Sequence, residues 1–185
     1  DFCLSRGLGD VYKRQVYSYI APLVTEVAGS PEWAVPIVLV LMGLGMTAGN
    51  LVGGHLADID LRRTLLFGLA AMAVVFALLA VLAFWIVTLA LLVFVVGFVS
   101  SVLSPTIQTR LMDVAGDNQS IAAAMNHSAL NIGNSLGAFL GGVVIAAGWG
   151  FVAPSWTGAA LAVAGLLIAL LSYRSEARRP VLTAA

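Results

Sequence analysis

The chain has 185 residues, of which 61% are hydrophobic and 10% charged, with a mean hydropathy of +1.01. A water-soluble domain cannot hide that much apolar surface, and nine Lys/Arg against nine Asp/Glu leave no basic excess for nucleic acid. One cysteine and two histidines exclude a disulfide framework and a convincing metal cluster.

The first residues stand apart. Ser5 to Gln15 reads SRGLGDVYKRQ, which resembles, residue for residue, the translated mosaic-end adapter of transposase-based library preparation. A secretory signal needs an apolar core after its basic start and a small-residue cleavage site, and neither is clear here. Residues 1–15 are therefore expected to be non-native, with Val16 as a truncation point. Setting aside Arg6, Lys13, Arg14, Asp1 and Asp10 leaves six arginines against seven acids and no cysteine.

From Val16 the chain is a ladder of apolar segments. About 20 apolar residues cross about 30 Å of hydrocarbon as a helix. The first segment, 16–27, is short because its start is cut off; Gly29-Ser30-Pro31-Glu32 turns the chain. The second runs over 35–56, the third over 64–84 and the fourth from Ile86 into Gln108. A tight hairpin near Phe84–Thr88 must separate the third and fourth, since 65–103 is too long for one span. The fifth covers 120–147. The sixth covers 156–173, with residues 174–185 as a tail. Backbone polar groups in lipid must pair internally, so each span is a helix. The expected fold class is an all-α membrane protein with six transmembrane helices.

The arginines orient the ladder. Arg62 and Arg63 follow the second helix, Arg110 the fourth, and Arg174, Arg178 and Arg179 the sixth; the intervening loops hold no Lys or Arg. Lys/Arg-rich short loops stay cytoplasmic, which puts the C-terminus inside. Glu26 and Glu32, in an outer loop, carry little topological weight.

Polarity sorts the helices. The third has no polar side chain and the sixth is nearly as bland, so both are expected to face lipid. Glycines recur every four residues on the second helix (Gly45, Gly49, Gly53) and on the fifth (Gly133, Gly137, Gly141), a spacing that lets helix backbones approach closely. On the fifth helix His127, Asn131 and Asn134 share a face, whereas Asn126 aligns with the Gly133 row. Intramembrane polar groups face a bundle interior or a wet cavity. Asn131 and Asn134, with Asn50 on the second helix and Gln108 on the fourth, are the candidates for lining a substrate cavity. Tyr17 and Tyr19 reach the same cavity or sit as interfacial aromatics; interhelical hydrogen bonding is the plainer role for Asn126. Ser104-Pro105 is expected to kink the fourth helix. Ser128 beside His127 is no nucleophile–base pair, because neighbours one apart on a helix do not face each other.

The loop after the second helix, GGHLADIDLRRT, resembles the cytoplasmic signature G-x-L-A-D-r-x-G-r-[KR] of the major facilitator superfamily. Gly54, Leu56, Ala57, Asp58, Arg62 and Arg63 match; Ile59 and Leu61 depart from it, as in the weaker copy carried by the second half of these transporters. Asp58 can cap the following helix or pair with Arg62 or Arg63, and Gly54, Asp58, Arg62 and Arg63 are the candidate cytoplasmic gate. VYSYIAPLVTEVAG, SPTIQTRLMDVAG and NHSALNIGNSLGAFLGGVVIAAG are similar to the bacterial drug and sugar efflux branch.

That resemblance implies helices seven to twelve of a twelve-helix bundle in the bacterial inner membrane. It implies export of a small molecule by alternating access, in exchange for protons and with no cofactor. The implied partners are the lipid bilayer, the small-molecule substrate and the missing N-terminal six-helix half; nucleic acid is not among them. Rival readings are a half-transporter that dimerises and a non-transporting membrane scaffold. No buried carboxylate occurs in the third to sixth helices, so a proton site is expected in the missing half.

Overall fold

The computed structural model describes residues 19–177, and among these every regular element is helical. Residues 1–15, Tyr17 and the tail from 178 onward, with Arg178 and Arg179, lie outside the described residues.

A helical segment beginning at residue 19 passes into a π-helical turn, Leu23–Val27. It ends at Gly29, whose φ of 60° suits a residue without a Cβ. The Ser30 amide closes back on the Val24 carbonyl at 2.9 Å. Helix α1 (Ala34–Leu82) follows, with 49 residues. At about 1.5 Å per residue it would be more than twice the hydrocarbon thickness if straight. It is not straight: Asp60 has φ −154° and ψ 92°, an extended break that divides it into arms 34–59 and 61–82. The arms fold back on each other. Ala34, Val35 and Val38 from the start of the first arm share a buried cluster with Val75 and Leu79 from the end of the second.

The turn holds because Asp60 supplies its own cap. Its carboxylate accepts the Arg63 amide at 2.9 Å and pairs with Arg63 Nε at 3.1 Å. The Thr64 hydroxyl lies within 2.9 Å of the Leu56 carbonyl and 2.8 Å of the Asp60 carbonyl, joining the two arms. Most of this is exposed, so its use is geometric more than energetic.

Helix α2 (Ile86–Ala115) starts after the sharp connection at Ala83–Trp85 and runs parallel to the first arm. The glycine row sets their spacing. A Cβ on Gly45 would strike the Phe94 carbonyl, one on Gly49 the Phe98 carbonyl, and one on Gly53 would lie 2.7 Å from Val102 Cα. Three contacts, each advanced by four residues on both helices, are the mark of two parallel backbones in close apposition. Pro105 is accommodated inside α2. Helix α3 (Gln119–Ala146) follows a 3-10 turn at Gly116–Asn118, and α4 (Ala153–Ala177) packs antiparallel to the second arm of α1. Gly158 meets the Phe76 ring and Gly165 the Leu69 side chain.

All four helices are long and apolar enough to cross a membrane. With α1 split, the described residues hold five apolar arms and the segment 19–27 where six spans were expected. The boundaries need correction at the polar ends. The helix runs through 57–63 apart from Asp60, α2 continues to Ala115 instead of stopping near Gln108, and α4 continues to Ala177 past Tyr173. Apolar runs mark where the chain leaves hydrocarbon, and helices continue into the headgroup region. Gly116, with φ 54°, is the structural stop for α2.

The hairpins give the bundle two unlike ends. Arg62, Arg63, Arg110 and Arg174 lie at one; Glu26, Glu32 and the four tryptophans Trp33, Trp85, Trp149 and Trp156, all exposed, lie at the other.

Candidate functional site

At the arginine end three elements converge on one ring. Arg62, after the α1 break, and Arg110, near the end of α2, place their guanidinium carbons 5.0 Å and 4.9 Å from the centroid of Tyr173 on α4. The ring is 9% exposed, and its hydroxyl has no hydrogen-bond partner among the described residues. Cations over an aromatic face are attracted by its quadrupole, by about 0.5–1 kcal/mol where water reaches them. Tyr173 thus ties the loop signature to both neighbouring helices. Sequence reasoning treated it only as the last residue of a span. The available signal was an amphipathic aromatic closing an otherwise bland helix beside Arg174.

Asp58 is placed differently from expectation. It is exposed, and the helix cap and ion pair expected of it belong to Asp60, two residues on. Gly54 faces open space.

The cavity-lining candidates divide. Tyr19 donates its hydroxyl hydrogen to the Ala138 carbonyl at 2.6 Å, tying the first segment to α3. Tyr19 and Asn134 both line a half-open cavity of about 400 Å³ between the first segment, α1, α2, α3 and α4. Asn131 is exposed on α3 and Asn50 on the first arm; Gln108 is half-buried on α2, and these three line none of the described cavities. Asn126 is buried. Gly141 packs against the Tyr19 ring, with a Cβ falling 3.3 Å from it. The close packing expected at Gly133 and Gly137 is not formed among the described residues: nothing lies within 4 Å of a Cβ on either, and both line the cavity. Spacing reveals a small-residue face but not whether a partner helix covers it. Among the described residues, no group of three His, Cys, Asp or Glu is placed to hold a metal.

Tyr19→Phe should lower the thermal midpoint modestly, by the equivalent of about 0.5–1.5 kcal/mol, since it deletes one hydrogen bond and keeps the ring against Gly141. A melting curve in detergent checks this; an unchanged midpoint would mean the first segment is held by its apolar contacts alone.

Paired antiparallel spans, glycine-set contacts and arginines at one end describe a multi-pass helical membrane protein. Residues 10–185 match the family model of the Major Facilitator Superfamily, and the chain belongs to that family. The match begins inside the stretch expected to be adapter. Among relatives, the Inner membrane transport protein YdhP of Escherichia coli K12 is 34% identical over 161 residues, covering 87% of this chain and 41% of that protein. The Chloramphenicol resistance protein of Streptomyces lividans is 32% identical over 153 residues, covering 83% and 39% respectively. An uncharacterized MFS-type transporter of Bacillus subtilis, YfhI, is 29% identical over 163 residues. The chain thus spans about two fifths of the length of these relatives.

Proposed function

We propose that the chain is the C-terminal half of a twelve-helix exporter of the bacterial inner membrane, with its C-terminus in the cytoplasm. It moves small, partly apolar solutes outward by alternating access in exchange for protons. The observation that carries this reading is the exposure of α3. It is the least buried of the four spanning helices, yet it carries His127, Ser128, Asn131 and Asn134 on exposed positions. Polar side chains facing lipid at mid-membrane are disfavoured, so this face belongs against a second helical unit or a wet path. A six-helix half opposite α3 supplies both, and a transporter site at the interface of two such halves follows. The drug-resistance name of one relative supports an apolar solute.

The test uses the full-length gene recovered from the native locus, in a host lacking its own exporters. Expression is expected to lower the accumulation of labelled chloramphenicol, and a protonophore to restore it. Accumulation unchanged by expression across a panel of apolar solutes would overturn export; export insensitive to the protonophore would overturn proton coupling. A locus with a start codon at Val16 would instead favour a half-transporter acting as a dimer.

Asp58 and Asp60 separate gating from folding. Asp58 is exposed and unused by the turn, so Asp58→Asn should lower transport about tenfold, ~1.4 kcal/mol in barrier, with unchanged membrane abundance. Asp60→Asn, which weakens the Arg63 contact, should lower the thermal midpoint instead. Equal transport by Asp58→Asn and wild type at equal abundance would exclude a gating role.

A further inference from the structure

We infer that the half-open cavity between these helices is a ligand site in its own right, one that takes a compact aromatic or alicyclic molecule bearing neutral hydroxyl or carbonyl groups. It is bounded by Tyr19, Phe76, Leu79, Val93, Asn134 and Gly137, so it lies within this half and not only on the face presented to another. The cavity is open along α3, and its volume of about 400 Å³ falls within the range of small-molecule sites.

The walls define the chemistry. Phe76 and Leu79 from the second arm of α1 and Val93 from α2 contribute side chains with no polar atom. Polar groups enter from three elements: Asn134 on α3, Tyr19 on the first segment, and Ser155 and Thr157 on α4. Asn134 offers an amide with both donors and an acceptor, and Tyr19, whose hydrogen is committed to Ala138, retains acceptor capacity on its oxygen. Neutral polar groups on a ligand can be satisfied there, whereas no charged side chain among the described residues lines the cavity to pair with an ion.

The glycines make the same point. Glycine within a helix costs about 1 kcal/mol relative to alanine. Gly45, Gly49 and Gly53 offset that cost through backbone contact with α2. Gly133 and Gly137 are exposed and touch nothing within 4 Å of a Cβ position, so their missing side chains leave the α3 rim of the cavity open. Transport through this site would rest on the exporter reading; occupancy of it does not.

The probe is 4-hydroxybenzophenone, which has two rings, one hydroxyl and a photoreactive carbonyl that inserts into C–H bonds. The full-length protein in phosphatidylcholine nanodiscs is irradiated with it, and adducts are mapped by mass spectrometry. Leu79 and Val93 should be labelled about tenfold more than Leu91 and Ile168, which are exposed on the outside of the bundle. Excess 4-phenylphenol, which is not photoreactive, should protect Leu79 and Val93 alone. Gly137→Leu, filling open space, should reduce their labelling by a similar factor without shifting the melting curve. Even labelling of Leu79 and Val93 with Leu91 and Ile168, or no protection by 4-phenylphenol, overturns the site. The protection experiment decides the matter without any variant. Labelling needs no transport, so its failure leaves export standing, and failed export leaves the labelling result standing.

Discussion

Gly49→Leu is expected to part the first arm of α1 from α2 and to destabilise the full-length protein by about 3 kcal/mol, at the upper end of what overpacking costs. The reason lies in what the added carbon would meet. Its first atom overlaps the Phe98 carbonyl, and the carbonyl carbon is 2.9 Å away. Both are backbone atoms inside a continuous helix, so no rotamer change relieves the overlap. The helices must separate, and separation loosens the neighbouring contacts at Gly45 and Gly53 as well. In lipid this matters more than in water, because helix association relies on packing and not on hiding apolar surface from solvent. Gly54→Leu is the matched control. It lies five residues on in the same arm, meets nothing within 4 Å, and should shift stability by no more than about 0.5 kcal/mol. Fluorescence-detected size exclusion after heating separates the two: the Gly49 variant should lose its monodisperse peak many degrees below the Gly54 variant. Indistinguishable melting would mean that the Gly45–Gly53 row does not set the helix spacing.

The glycine row was legible because its spacing equals the helical repeat, so three small residues land on one face whatever surrounds them. The same rule applied to Gly133, Gly137 and Gly141 identified a face but not its use. Only Gly141 meets a neighbour, the Tyr19 ring, and that residue is more than a hundred positions away in the chain. The spans themselves were legible from apolar runs, and their alternating direction from the arginines. The helix ends were not. Hydropathy reports the depth at which polar residues begin, whereas α2 carries Arg110 and Asp113 within a helix that stops only at Gly116.

The turn between the arms of α1 illustrates a different failure. Reading the loop by its resemblance put weight on Asp58, the signature acid. The local geometry belongs to Asp60, because its carboxylate sits three residues before Arg63, the spacing at which a side chain reaches a helix-starting amide. Signature residues report what the family shares, and the cap of one particular turn need not be among them. Tyr173 escaped notice for a related reason: its partners come from residues 62 and 110, and pairing at that separation leaves no periodic trace.

Tyr173 also gives the second large effect, and its sign depends on the substitution. Tyr173→Leu removes the ring that both Arg62 and Arg110 contact, losing two cation–π contacts of about 0.5–1 kcal/mol each and the apolar contact with the cluster around Leu65 and Leu103. The total should reach about 2–3 kcal/mol, a clear fall in the melting temperature. Tyr173→Phe keeps the ring and both contacts and deletes a buried hydroxyl that has no partner among the described residues. An unsatisfied buried polar group costs about 1–3 kcal/mol, so the phenylalanine variant should melt above wild type. Opposite signs at one position distinguish a ring that holds two helices to a loop from a tyrosine that merely fills space. A double-mutant cycle of Tyr173→Leu with Arg62→Ala should return a coupling of at least about 0.5 kcal/mol. Two outcomes count against the clasp: a phenylalanine variant that melts as low as the leucine variant, which would give the hydroxyl a partner, and a coupling of zero. Under the proposed alternating-access cycle, a clasp that holds in one orientation and opens in the other predicts that Tyr173→Leu also changes the accessibility of a cysteine at Thr109 to a membrane-impermeant thiol reagent, while Tyr173→Phe leaves it as in wild type.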